Sequence, residues 1–320
     1  MIRRVPTQRP ASGTRGFVLV NALVLVAAFA AAAVWLLARA EQGRVRQAQT
    51  QGAAQTILYL DAIESLALAL LARDQQGGAV DGPGDVWAQL GRGRDDPGVT
   101  LDRGLGRGRI TDLQGRFNIN WLANPEDILA EQGFVRLTRQ LGLTDRVAGQ
   151  ITAFLRPGGG GNTRLYARAR PPVLPRGGPV LVLEQLAMIP TLRPRELDIL
   201  IPHIAALPSD SLLNVNTASA QVLSSMLPGT NAEGLAQVLQ ARRRMPFLSL
   251  DDFMARAAVA LPDGTIADTD QARFGVGSQW FHVDTTVSLD TRHQTRQTII
   301  HRKPLPDGPR VVWRLENHRR

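Results

Sequence analysis

Residues 15–38 read RGFVLVNALVLVAAFAAAAVWLLA, and this stretch decides how the whole chain is handled. Behind Arg15-Gly16, the apolar run from Phe17 to Ala38 holds 22 residues. As a helix rising about 1.5 Å per residue, it is long enough to cross a hydrocarbon core about 30 Å thick. Asn21 is its one polar residue. Upstream lies a short leader with Arg3, Arg4, Arg9 and Arg15 and no acid. Basic residues before an apolar span predict a cytoplasmic N-terminus, with the body on the far side of the inner membrane. The flank after the run is mixed (Arg39, Glu41, Arg44, Arg46) and weakens that orientation only slightly.

The formal net charge is +9, and the leader supplies four of those charges, so the remainder is modest for 320 residues. A high isoelectric point on these terms is a poor argument for nucleic acid. Leader and anchor removed, roughly 280 residues remain, enough for one large or two modest domains. A hydrophobic content of 44% supports a proper core. No cysteine occurs, which excludes a disulfide framework and a cysteine-based zinc site and leaves the redox compartment open.

Three readings of the apolar run compete. A secretory signal would have a shorter apolar core, and Ala38-Arg39-Ala40 is an unconvincing cleavage site. A plain anchor helix is the simplest reading. The third is a leader cut between Gly16 and Phe17. Gly followed by Phe behind a short basic leader resembles the type IV pilin and pseudopilin class. Members of that class keep the apolar helix after cleavage and use it for membrane anchoring and filament packing. Counted from Phe17, Asn21 is the fifth residue, where most pilins carry Glu. That Glu is thought to neutralise the N-terminal ammonium of an adjoining subunit inside the membrane, where an unpaired charge is costly. Asn cannot do so ionically. A subunit that docks beneath no other has no such ammonium to meet, so Asn21 looks like the tip-specific departure of GspK-type pseudopilins of type II secretion systems.

Past the anchor, Arg39 to about Arg73 reads as a continuation of one long helix, free of Pro. Ile57, Leu60, Ile63, Glu64, Leu66, Leu70 and Leu71 give its second half an amphipathic spacing. Gly77-Gly78 and Asp81-Gly-Pro-Gly84 end it, and the Gly-, Arg- and Asp-rich segment to Arg109 reads as an irregular surface connection. In 108–122, GRITDLQGRFNINWL, the apolar residues Ile110, Leu113, Phe117 and Ile119 flank Gln114-Gly115 and predict a β-hairpin. The string Asp112 to Asn120 resembles the corresponding hairpin of the GspK family.

From Asn124 to Phe253 the pattern is helical. Helices are expected over 125–141, over 144–155 with a cap at Thr144 or Asp145, and as short pieces over 182–188 and 194–207. Pro157 with Gly158–Gly161, and 170–179, read as loops. In 213–253, Asn216 or Thr217 can cap a helix carrying Val222, Leu223, Met226 and Leu227. Pro228-Gly229 turns the chain, 232–243 forms a second helix with Leu235, Val238 and Leu239 inward, and Phe247 to Phe253 starts a third. This unit resembles the helix-hairpin-helix of competence-type DNA-binding proteins, in which glycines let backbone N–H groups approach a phosphate. The Gly-hydrophobic-Gly hairpin is missing. Arg242, Arg243 and Arg244 remain as the candidate nucleic-acid contact, although basic residues also suit a helix C-terminus. From Phe274 the pattern returns to strands. Trp280 to Leu289 alternates, with Phe281, Val283, Thr285 and Val287 on one side, then 294–301 and 309–315 follow, joined by the turn Leu305–Gly308 and closed by a charged tail over 316–320.

Catalysis finds no support. The five histidines lack metal spacing, Ser224-Ser225 sits within a predicted helix, and Gly104–Gly108 follows no phosphate-loop pattern. The GspK resemblance implies calcium sites in acidic loops. At the corresponding place, 146–179 holds no Asp or Glu and carries Arg156, Arg164, Arg168, Arg170 and Arg176, so the family's calcium site is expected to be lost or displaced.

The expected fold is α+β: a pilin-like long N-terminal helix and antiparallel sheet, with a large inserted helical domain of SAM-like or helix-hairpin-helix-like type. The expected organisation is a leader over 1–16, an anchor over 17–38, and helix extension with first strands over 39–123. The helical insertion follows over 124–273 with its SAM-like module at about 211–256, and closing strands and tail occupy 274–320. The resemblance implies a non-enzymatic minor pseudopilin nucleating and capping the type II secretion pseudopilus; no cofactor is expected, and no metal either, the family's calcium site being expected to be lost. Its implied partners are other minor pseudopilins, the prepilin peptidase that cuts between Gly16 and Phe17 and leaves Phe17 N-methylated, the inner membrane, and a secreted substrate or the outer-membrane channel. The alternative is a membrane-tethered DNA-uptake protein, which the missing hairpin disfavours.

Overall fold

A computed structural model describes residues 14–91, 98–158, 166–168, 174–229, 231–258 and 272–318. The leader up to residue 13, the glycine run 159–161, Arg164, Arg170 and the terminal Arg319-Arg320 lie outside the described residues. The chain divides into two units, one ending at Leu58 and one running from Tyr59 to Arg320.

The first unit is helical. Helix α1 spans Thr14–Gly77, and within it every residue from Phe17 to Thr50 is exposed, including Phe17 at 70% and Trp35 at 60%. A run of this length and apolarity, uncovered by protein, is what a membrane span requires.

In the second unit, α1 buries Leu60, Ile63, Glu64, Ala67 and Leu71 along one stripe, spaced three and four residues apart as a 3.6-residue period demands. Leu66, expected on that face, is exposed, and Ala67 takes the inward position. A short helix α2 (Val86–Gln89) follows, and its Trp87 ring meets Phe281 edge-on at 5.1 Å. Strands β1 (Val99–Leu101) and β2 (Gly104–Asp112) come next. The segment expected to be irregular up to Arg109 thus contains most of a nine-residue strand. Its alternation is glycine against larger residues: Gly106 and Gly108 are buried, while Arg107 and Arg109 face solvent. A Cβ at Gly106 or Gly108 would lie 2.8 or 2.7 Å from Ile63 side-chain carbons, so bare backbone lets α1 settle against the strand.

The closing strands are β7 (Trp280–Leu289), β8 (Arg292–Arg302) and β9 (Pro309–His318), where β7 alternates strictly between buried and half-buried residues. They join the first two in one antiparallel sheet of order β1-β2-β7-β8-β9, with Ile110 opposite Val283 and Asp112 opposite Phe281. The residues 316–318, expected in a charged tail, belong to β9.

Between β2 and β7 the chain builds a helical layer. It contains β3 (Phe117–Asn118), a 3₁₀ turn at Ile119–Ala123, α3 (Ile128–Gln140), α4 (Asp145–Leu155) and a 3₁₀ turn at Leu183–Met188. Next come α5 (Pro194–Leu200), a 3₁₀ turn at Ile201–His203, β4 (Ile204–Ala205) and β5 (Leu213–Asn214). Helices α6 (Ala220–Met226), α7 (Ala232–Arg244) and α8 (Leu250–Ala257) and strand β6 (Phe274–Gly275) complete it. Its core draws on Phe117, Trp121, Phe134, Phe154, Phe247, Phe253 and Phe274.

Three local expectations are corrected. Residues 108–122 are no hairpin, because β2 pairs with β1 and β7 whereas β3 pairs in parallel with β4. The turn at Gln114-Gly115 leads out of the sheet and into the helical core. The helix expected over 194–207 stops at Leu200, and 204–205 pair with β3 instead. The cap of α6 is Ser219, whose side chain accepts from Val222 N, and Asn216 lies fully buried elsewhere.

One buried carboxylate ties α1 to the sheet. Glu64 accepts from Arg314 on β9 and, at 2.8 Å, from Thr298 on β8, with Arg296 Nη1 3.8 Å away and itself paired to Asp61. Burial alone would push Glu64 up, but those hydrogen bonds and the Arg314 and Arg296 charges outweigh it and hold it below the ordinary value. A depressed folded-state value adds stability above the unfolded value, about 4.3, and that stability fades as pH falls through the folded one. Urea melts should therefore show Glu64→Gln less stable than the parent at pH 6, with the gap closing towards pH 3. A gap independent of pH would contradict the assignment.

Candidate functional site

The chain crosses from sheet to helical layer at 112–117 and returns at 274–280, and a buried polar network holds both crossings together. Asp112, at the end of β2, is its centre. Its Oδ1 accepts from Gln114 N at 2.7 Å, and its Oδ2 accepts from Asn214 Nδ2 at 3.1 Å, Ser278 Oγ at 2.6 Å and Thr217 Oγ1. Gln114 spans the same gap, accepting from Gln279 N and donating to Leu212 O. Burial pushes the Asp112 carboxyl up, and the donors from Ser278, Thr217, Gln114 and Asn214 work against that rise.

A second acid, Asp81, extends the network. Its Oδ2 accepts from Ser278 N at 2.7 Å and from Arg302, the last residue of β8. The same guanidinium donates to Asp74 Oδ2 at 2.8 Å and Ser278 O at 2.6 Å and lies over the Phe281 ring. Burial pushes Asp81 up to about 7 against the opposing charge of Arg302. A Cβ at Gly277 would fall 2.1 Å from Ala79 O, so only glycine lets these two backbones meet. The network fixes the helical layer to the sheet by polar contacts from five chain segments. Ser278 Oγ is engaged with Asp112 and Asn214.

The sequence singled out Asp112, Gln114 and Thr217 without their roles, and passed over Asn214 and Ser278. It missed Asp81, read as part of a turn, and Arg302. No local pattern marks either residue, because their partners are distant in the chain.

The remaining candidates stand apart. Arg242 Nη1 donates to Val215 O at 2.6 Å and Ala218 O at 2.8 Å, and burial together with the Arg243 charge pushes it down to about 10. It caps the N-V-N-T-A turn internally. Arg243 and Arg244 are exposed at the last turn of α7. Among the described histidines, His301 stacks on Trp280 at 4.1 Å and His293 meets Ser288 on the exposed end of the β7–β8 hairpin. In 146–179, Arg156 pairs with Glu131 and Arg146 with Glu196, while the segment contributes no carboxylate. These donors do not fit a calcium ion there. At the other end of the chain, Gly16 and Phe17 lie in the first turn of α1, and Asn21 is exposed one turn beyond.

Residues 115–209 and 213–276 match two family models, each described as Type II secretion system (T2SS), protein K. These limits run from the turn after β2 to just past β6. Over 311 residues the chain is 30% identical to the Type II secretion system protein K of Pseudomonas aeruginosa, covering 91% of this chain and 89% of that protein. The chain belongs to the type II secretion system protein K family. As a GspK-type minor pseudopilin it is also 28% identical over 279 residues to the protein of the same name from Klebsiella pneumoniae, covering 79% and 82% of the two chains. Its fold is that of a solved chain in the GspK-GspI-GspJ complex from enterotoxigenic Escherichia coli. That match has a TM-score of 0.67 at 19% identity, over 86% of this chain and all of the other. The α+β class read from the sequence is the GspK architecture, and the apolar helix at its N-terminus is consistent with a single transmembrane anchor.

Proposed function

We propose that this GspK-family chain is a non-enzymatic subunit at the tip of the type II secretion pseudopilus, anchored through 17–38 with its body in the periplasm. The observation that carries this reading is Asn21, an uncharged amide on the fully exposed apolar stretch of α1. A subunit with another stacked above it would need an acid at that depth to meet the neighbour's ammonium, and the topmost subunit does not. The helical layer supports the same role, since its bulk on one sheet would block addition of a further subunit. Two other minor pseudopilins are the natural neighbours, as GspI and GspJ are for the solved relative. With them the exposed helix nucleates the fibre and the body caps it. The domain boundaries proposed for these roles are 1–16, 17–38, 39–123, 124–273 and 274–320.

Prepilin peptidase then acts between Gly16 and Phe17, with methylation of the new amino terminus. Intact mass of the protein from cells containing that peptidase is expected to show loss of 1–16 and one added methyl group on Phe17. An intact Met1, or a start near Ala40, would overturn the proposal.

A further inference from the structure

The sheet has a second face, and it is only partly covered. Phe281 and Ile300 pack with Ala67 and Leu71 of α1, so their strand neighbours His282 and Ile299 point the other way. There His282, Ile299 and Trp313 stand side by side across β7, β8 and β9. With Val180 and Leu207 of the helical layer they line a groove of about 570 Å³. That volume is within the range of ligand pockets, about 300–1,000 Å³. Leu181 and Val312, also on the lining, are 73% and 51% exposed, so apolar surface is left open to solvent.

Polar groups set into this apolar lining lack partners. Arg116 makes one long hydrogen bond, to Ile201 O at 3.4 Å, and among the described residues no carboxylate lies within salt-bridge range of it. Burial pushes its guanidinium below the ordinary value, and the charges of Asp284 and Asp112 oppose that only from a distance. Both acids are engaged elsewhere, Asp284 with His282 Nδ1 at 3.2 Å and Asp112 with Ser278 and Thr217. Glu184, the carboxylate on the lining, is exposed and forms no pair with Arg116. The side-chain amide of Gln297, on the same lining, has no hydrogen-bond partner among the described residues.

A cation held among apolar walls without an acid is complemented by a ligand that brings one, and a carboxylate matches the guanidinium fork. Gln297 presents a donor and an acceptor together, which a peptide unit can satisfy and an acyl chain cannot. We propose that this groove binds an extended peptide segment of a partner protein in which one Asp or Glu stands between bulky apolar side chains. The acid pairs with Arg116, the apolar side chains lie against Trp313, Ile299 and Leu207, and Gln297 holds a peptide unit of the segment. The inference does not rest on where the subunit sits in the pseudopilus.

The test is selection of a random peptide library, displayed on phage, against the full chain in lipid nanodiscs, followed by fluorescence anisotropy of the consensus peptide. The consensus is expected to carry one acid flanked by apolar residues. Arg116→Gln should weaken its binding by about tenfold or more, as loss of a charge-assisted hydrogen bond does. Leu181→Asp, at an exposed position, should weaken it likewise by setting a like charge against the acid, so misfolding of one variant leaves the other to decide. Arg244→Gln, at the exposed end of α7, should bind as the parent does. A consensus without an acid, no selected peptide, saturable binding of dodecanoate in place of peptide, or parental affinity in both folded groove variants overturns the proposal.

Discussion

Arg302→Leu is expected to lower the unfolding free energy by about 3–5 kcal/mol, the range for breaking a buried pair from one side. Arg302 is 5% exposed, Asp81 1% exposed, and the guanidinium is hydrogen-bonded to both Asp74 and Asp81. Leucine preserves an apolar contact for Phe281, so the loss reports the stranded carboxylates and Ser278 O. Urea unfolding of the full chain in detergent, followed by fluorescence of the buried Trp87 and Trp121, measures it. Adding Asp81→Asn to Arg302→Leu should recover part of the loss, because the double variant removes the charge that the single variant leaves unpaired. A loss below about 1 kcal/mol, the level of an exposed pair, would show that the network is hydrated.

Asn216→Ala should cost nearly as much, and for a reason the sequence conceals. The side chain donates to Phe247 O at 3.0 Å and Val276 O at 3.3 Å, and accepts from Phe247 N at 2.8 Å. Truncation strands Phe247 O and Phe247 N at about 1–3 kcal/mol each, while Val276 O keeps its bond from Asp81 N. Had Asn216 been a helix cap, the loss would be about 1 kcal/mol. That smaller loss is expected instead for Ser219→Ala. Thermal or urea melts of the two variants side by side distinguish the assignments, and equal losses would restore Asn216 as a cap.

The contrast between these two residues shows what a sequence of this kind reveals. Phe281, Val283, Thr285 and Val287 announce β7 because each inward position carries a side chain with a matching character. Strand β2 has the same period, yet its inward positions include Gly106 and Gly108, which give no apolar signal. The glycines are there because Ile63 needs the room. Residues 108–122 imitate a hairpin because Ile110 and Phe117 flank a real turn. The two belong to different cores, Ile110 with Trp87 and Phe281, Phe117 with Trp121 and Phe134. Asparagine at 216 signals capping by residue type, and only tertiary contacts turn it inward. The network around Asp112 was partly visible as residues and invisible as a site, because hydrogen bonds between positions such as 81, 112, 214, 278 and 302 leave no periodicity behind.

The pairing of β2 with β7 governs how the protein can reach its native state. Asp112 lies opposite Phe281, so the β2–β7 pair forms only after the intervening helical layer has been synthesised. Contacts so far apart in sequence are slow to form, since the chain loses loop entropy before it gains pairing. Until β7, β8 and β9 arrive, Leu60, Ile63 and Leu71 have no cover, and the newborn chain is prone to aggregate during that interval. A stop codon shortly before Trp280 would therefore leave the helix without its sheet, a heavier loss than the few strands removed would imply.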